Sequence, residues 1–225
     1  MIQNSTFHFL SELKTNNSKA WMDQHRAESQ AAKADVTAMV GQLIERLGQI
    51  DPRIKKAGLD GAKCLTRQNH DMRFAKGAPP YKTDFYIILN SVGKQSARAF
   101  YYLHLEPENC FVGGGVYNPQ PGPLRKFREK IGSDYTEWKK IILDRKFKKR
   151  FPTGLHAPSL LTRTPIGFSP DSPAAEFFKM KGSYTMEKLD DREVQVERAV
   201  ALVADYFKAA RSLVDFLNRA LQPAR

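Results

Sequence analysis

From Val196 to Leu221 apolar side chains recur at alternating steps of four and three: Val196, Val200, Val203, Phe207, Ala210, Val214, Leu217 and Leu221. That spacing aligns them on one face of an α-helix. A helix with one continuous apolar stripe must bury it, so any fold open to this chain needs a second layer for the helix to cover. Asp190 followed by Glu193 has capping-box spacing and predicts the start of a C-terminal packing helix over 190–221. The other end repeats the pattern. Asn16-Asn17-Ser18 is a turn-and-cap signal, and after it Trp21, His25, Ala32, Val36, Met39, Val40, Leu43 and Leu47 return mostly at three and four. A long helix is predicted to about Gly48, broken by Asp51-Pro52. Before it, Phe7, Phe9, Leu10 and Leu13 form a shorter amphipathic start.

Between the two ends the period changes. Asp84 to Val92 and Ala97 to Leu105 are rich in β-branched and aromatic residues, Gly93-Lys94 supplies a turn between them, and Asn109 to Val112 adds a third short run. These predict an antiparallel meander, with Gly113-Gly114-Gly115 ending the third strand. Pro121-Gly122-Pro123 introduces a basic helix from about Leu124 to Ile131, since proline suits a helix's first turn, and Ser133 is placed to cap the next. Residues 55–80 and 151–173, punctuated by glycine and proline, read as irregular connections. The fold class expected is α+β, a central antiparallel sheet covered by long N- and C-terminal helices. A length of 225 residues, with no internal repeat and no low-complexity linker, favours a single domain over 1–225.

The charge balance is unusual. Lys and Arg number 36 against 24 Asp and Glu, a net +12 that favours anionic partners. Eleven of the bases, against four acids, fall between Pro123 and Arg150. No apolar run approaches the roughly 20 residues of a membrane span, so no membrane partner is expected. With no export signal at the N-terminus, a cytoplasmic protein is expected, and Cys64 and Cys110 should be reduced, buried thiols.

The densest polar constellation runs Arg67-Gln68-Asn69-His70-Asp71-Met72-Arg73-Phe74-Ala75-Lys76, followed by Pro80-Tyr81-Lys82-Thr83. Arg73-Phe74 and Pro80-Tyr81-Lys82-Thr83 resemble the signature of the family called domain of unknown function 2461. Phe9-Leu10, Leu13-Lys14, Asn16-Asn17 and Trp21 are similar to that family's opening. Gly113-Gly114-Gly115, Leu124 and Arg128 resemble its glycine-rich centre, and Leu161, Arg163, Pro165, Gly167-Phe168 and Pro173 its later motif. The resemblance spans about Phe7 to Lys181. It departs at His70, where many members have Arg, and at Gly77-Ala78, where an Asp-Lys pair is usual. The resemblance implies a fold and a site but no activity and no cofactor.

Arg67, Arg73, Lys76 and Lys82 could converge on a phosphate or carboxylate, because guanidinium groups hold such anions through paired hydrogen bonds. Asp71 would orient an arginine, and Tyr81 would serve as wall or donor. An ion pair between Arg73 and Asp71 that merely pins the loop predicts the same residues. The glycines, Gly114 and Gly115 above all, followed by a proline-started helix carrying Arg125 and Arg128, could admit a phosphate at backbone N–H groups, or could simply mark a strand end. The leading expectation is an anionic small molecule in a basic cleft where residues 67–83 meet residues 113–128. Two rivals stand beside it. One is an enzyme on a phosphorylated or nucleotide substrate, using Asp71 or His70 for proton transfer. The other is a nucleic-acid-binding or protein-interaction module on the basic run from Lys139 to Arg150, where Ile141, Ile142, Phe147 and Phe151 suit a packed amphipathic helix equally well. His104 and Glu106 share a strand face, as an acid–base pair or as a polar cross-strand face, and His25 on the first long helix reads as packed or solvent-facing. No metal-ligand spacing is present.

Overall fold

The computed structural model describes residues 1–70, 77 and 79–222. In chain order the first half comprises α1 (Asn4–Thr15), α2 (Lys19–Gln24), α3 (Arg26–Ile50), α4 (Pro52–Ala57), α5 (Gly61–Cys64), β1 (Phe85–Leu89), β2 (Phe100–Leu105) and β3 (Cys110–Val116). The second half comprises α6 (Pro121–Ser133), α7 (Tyr135–Leu143), α8 (Arg145–Arg150), α9 (Ala175–Phe178), β4 (Ser183–Leu189), α10 (Asp191–Gln195) and α11 (Ala199–Arg219). The strands form one antiparallel meander in the order β1-β2-β3-β4, so the fold is α+β with terminal helices flanking a sheet. Among the described residues no helix is long and apolar enough to cross a membrane.

The chain divides into two compact units. The first comprises Met1–Ser91, Tyr102–Val112 and Lys188–Asp205, and the second Val92–Tyr101, Gly113–Glu187 and Tyr206–Arg225.

In the first unit α3 is the organising helix. Its stripe of Ala32, Val36, Met39, Val40, Leu43 and Leu47 is buried as the spacing predicts, and α1, α4, α5 and β1 pack around it. The predicted long helix is split at His25, which closes α2 and precedes α3. Ser18 caps α2 by accepting from the Trp21 N–H. Asp51-Pro52 ends α3 but also starts α4: the Asp51 carboxylate accepts from the Arg53 N–H, and Pro52 occupies the first turn, where its missing N–H costs nothing. Residues 55–64 are therefore less irregular than expected, because helices of six and four residues are too short to register as a period. The C-terminal helix also comes in two pieces. Asp190 and Glu193 do form the capping box, but it starts α10, and Val196 is extended before α11 resumes the apolar stripe.

In the second unit β3 runs through the triple glycine instead of ending before it. Gly115 sits at φ +135, and a Cβ there would lie 2.3 Å from the Ser183 carbonyl oxygen. A Cβ on Gly114 would lie 3.0 Å from Ala210 Cβ and 3.2 Å from Val214 Cγ2 on α11. The glycines thus let β4 and a packed helix approach the strand. β4 itself escaped the sequence reading because it mixes Ser183, Thr185, Glu187 and Lys188 with its apolar residues and its burial alternates weakly. Trp138, Phe147 and Phe151 bring α7 and α8 into the core of this unit, with Trp138 tilted on Phe216 and Phe151 on Tyr206. Ser133 does not cap α7; its hydroxyl donates to Asp134, which takes the N-cap position without a capping bond. Both cysteines are buried, with no disulfide between them.

Candidate functional site

Two clefts, one in each unit, hold part of the sequence-predicted set: His70, Tyr81 and Lys82 line the first and Arg128 the second. The first, of about 650 Å³, is lined by Lys14, His70, Tyr81, Lys82, Asp84 and Tyr86 among others. Its wall is a short antiparallel ladder. The His70 N–H donates to the Pro80 carbonyl at 2.9 Å, and the Lys82 N–H to the Gln68 carbonyl at 2.7 Å. Asn17 clamps the middle of it, accepting from the Tyr81 N–H at 3.0 Å and donating to the Tyr81 carbonyl at 2.7 Å. Asn17, read in the sequence as part of a cap, is thus a tether for Tyr81. Lys14 and Lys82 pair with no carboxylate among the described residues.

Behind this cleft His104 is stacked on Phe111, ring centroids 4.2 Å apart. Its Nδ1 lies 2.9 Å from the Asn109 carbonyl and its Nε2 3.4 Å from Asp84. Glu106 accepts from Thr83 Oγ1 at 2.9 Å and from Asn109 Nδ2 at 2.7 Å. His104 lies on β2 and Glu106 just beyond its end, and each ties that strand both to the approach to β1 and to the turn before β3.

The second cleft, of about 420 Å³, is lined by Asn118, Gln120, Leu124, Arg128, Leu161 and Lys181, with Pro119 and Pro121. Arg128 comes from α6 and is only 9% exposed. One terminal nitrogen donates to the Met180 carbonyl at 3.1 Å, whereas its Nε has no partner. No carboxylate among the described residues pairs with it, and burial pushes the guanidinium's pKa below its ordinary value. The start of α6 adds little backbone donation, because Pro121 and Pro123 have no N–H and the Leu124 N–H is spent on the Gln120 carbonyl. Any anion here would be held by side chains.

The remaining candidates have other surroundings. Arg67 is exposed. Arg125 is exposed and pairs with Glu129 at 2.9 Å. Gly114 and Gly115 are occupied by the protein's own chain, as above. Asp71, Arg73 and Lys76 fall in residues 71–76, outside the described residues. On α7 and α8 the cations Lys139, Lys140, Arg145, Lys146, Lys148 and Lys149 are all exposed, while the rings between them face inward. Lys181, Asn118 and Gln120 went unnoticed in the sequence. The only signal was Lys181 beside Gly182, a glycine whose Cβ would meet the Val116 carbonyl at 2.8 Å and the Asn118 nitrogen at 3.1 Å.

Comparison with known proteins gives one match. No curated protein and no solved structure matches the chain. The family model described as conserved hypothetical protein (DUF2461) matches residues 5–216. Nearly the whole chain, with both clefts, falls inside that match, and the protein belongs to the DUF2461 family.

Proposed function

We propose that this protein binds a small anionic ligand, bearing phosphate or carboxylate, in the cleft of its second unit. Arg128 and Lys181 are its cationic contacts, and Asn118 and Gln120 are neutral hydrogen-bonding neighbours. The observation that carries this reading is the state of Arg128: a guanidinium nine-tenths buried, with no carboxylate partner among the described residues and an unbonded Nε. Burying a charge costs several kcal/mol unless a counter-charge compensates it, and a bound anion would supply one. A guanidinium fork matches the paired oxygens of a phosphate or carboxylate, which ranks those groups above halide or sulfhydryl ligands.

The test is calorimetric titration of the full chain with inorganic phosphate, pyrophosphate and citrate. At least one should bind to wild type. Arg128→Met should abolish that binding, and Lys181→Met should weaken it by about tenfold or more, as loss of a charge-assisted hydrogen bond does. Absence of binding by all three, or binding indifferent to Arg128, refutes the reading.

A second reading draws on α7 and α8, where the six exposed cations pair with no acid among the described residues and Asp144 is spent on capping α8. Such a surface suits a nucleic-acid backbone. Affinity for a DNA duplex should then fall steeply with salt and drop on Lys148→Glu with Lys149→Glu. Binding that ignores both salt and these changes excludes it.

A further inference from the structure

Beside the Arg128 cleft the second unit carries an aromatic feature that anion binding alone leaves without a role. Tyr117 directly follows β3 and is 59% exposed, a large apolar ring left facing solvent. Its ring is tilted by 59° against that of Tyr184, centroids 5.5 Å apart, and Tyr184 stacks on His156 at 5.7 Å. His156 is itself fixed by a 2.9 Å hydrogen bond between its Nε2 and Thr153 Oγ1. The result is a supported shelf whose outermost ring is open.

The backbone ties that shelf to the cations. Gly182 allows the end of β3 and the start of β4 to approach so closely that no side chain would fit between them. Asn118 then turns through a left-handed conformation, φ 44, directly after Tyr117. As a result Tyr117 adjoins a cleft-lining residue in sequence, and its ring rests on Tyr184, three residues beyond Lys181. Arg128 reaches the carbonyl of Met180. Four residue steps separate Met180 from Tyr184, a span of at most about 13 Å even for fully extended chain. An exposed aromatic ring so near along the chain to two cations that have no carboxylate partner among the described residues fits the pattern by which proteins hold a planar base and its phosphate together.

Resting on the anion-binding reading, we infer that the ligand of this cleft is a nucleotide, its phosphate on Arg128 and Lys181 and its base stacked on Tyr117. Burial pushes the Tyr184 phenol above its ordinary pKa, helped by the neighbouring Tyr117, so the shelf stays uncharged beside the phosphate. Tyr117 acts through its ring and not its hydroxyl.

The experiment compares adenosine monophosphate with ribose 5-phosphate, two probes that differ by the base alone, by calorimetric titration of the full chain. Base stacking contributes about 1–3 kcal/mol, so wild type should bind adenosine monophosphate about tenfold or more tightly than ribose 5-phosphate. Tyr117→Ala should erase that preference while leaving ribose 5-phosphate affinity unchanged, and Tyr117→Phe should keep it. Equal affinity for the two probes in wild type, or a preference that survives Tyr117→Ala, overturns the inference while leaving anion binding intact. If neither probe nor inorganic phosphate binds, the anion reading itself has failed. A 5′-phosphorylated tetranucleotide that binds as tightly as adenosine monophosphate assigns the site to a strand end, and a much weaker one assigns it to the free nucleotide.

Discussion

Replacing Arg128 by Met should make the ligand-free protein more stable. Arg128 is 9% exposed, its Nε bonds to nothing, and among the described residues no carboxylate repays its desolvation. Swapping buried charges for apolar side chains of similar volume is often stabilising by about 1–4 kcal/mol. Methionine keeps most of the arginine stem's packing. Against this gain stands the hydrogen bond to the Met180 carbonyl at 3.1 Å, whose net contribution is about 1 kcal/mol. A net gain of about 2 kcal/mol should remain, which for a chain of this size is a rise in Tm of about 4–8 °C. The assay is a thermal melt of both proteins, without and with phosphate. Wild type should gain in phosphate, by about 2.7 kcal/mol at a hundred times the dissociation constant, whereas Arg128→Met should gain nothing. The order of the two melting temperatures should therefore close or reverse as ligand is added. A variant that melts several degrees below wild type without ligand would make Arg128 a structural residue and refute the reasoning.

Gly115→Ala should destabilise by more than the ~1–3 kcal/mol of backbone strain at φ +135, since its Cβ would lie 2.3 Å from the Ser183 carbonyl oxygen and 2.5 Å from Tyr184 Cα. Urea unfolding measures it, and a loss under ~1 kcal/mol would contradict the close strand approach. Asn17→Ala removes both hydrogen bonds to Tyr81 and should cost about 1–3 kcal/mol, with faster amide exchange at Lys82 than at Leu89; unchanged exchange at Lys82 would show that the tether is dispensable. Burial pushes the Cys110 thiol up to about 12, well above its ordinary value, so the native state keeps its proton while the unfolded state loses it. Stability should then fall as pH rises from about 9 to 12, by at most about 1.4 kcal/mol per unit for this group. Cys110→Ala should flatten that slope, and an identical slope in both proteins would rule the thiol out as its source.

The parts of the fold that were legible are those with enough residues to state a period. The stripe of α3 and that of α11 each repeat over many turns, and β1 and β2 carry five and six residues rich in β-branched and aromatic side chains. What was missed is short or mixed. α4 and α5 have six and four residues, less than the span needed to tell a period of 3.6 from none. β4 mixes Ser183, Thr185 and charged residues and is specified by the neighbour that Gly115 admits, a long-range fact that local pattern does not contain. The break at Val196 shows the same limit from the other side, because Val196 fits the apolar stripe yet is 39% exposed and extended.

The candidate site divides along the same line. Arg128 was legible as a base after a proline-started turn, but the property that matters, being buried with no carboxylate partner among the described residues, arises only when α6 packs toward Met180. Arg125, three positions earlier on the same helix, looks equivalent in sequence and is exposed beside Glu129. A step of three places two bases on neighbouring faces, and tertiary packing then makes one a solvated surface charge and leaves the other a desolvated cation lining a cleft. The excess of positive charge is therefore a poor guide to where an anion binds, since most of the bases on α7 and α8 are exposed and hydrated. Selectivity for a ligand is better sought at a cation as buried as Arg128, where a bound phosphate would exchange its own hydration for an interaction that the solvent screens far less.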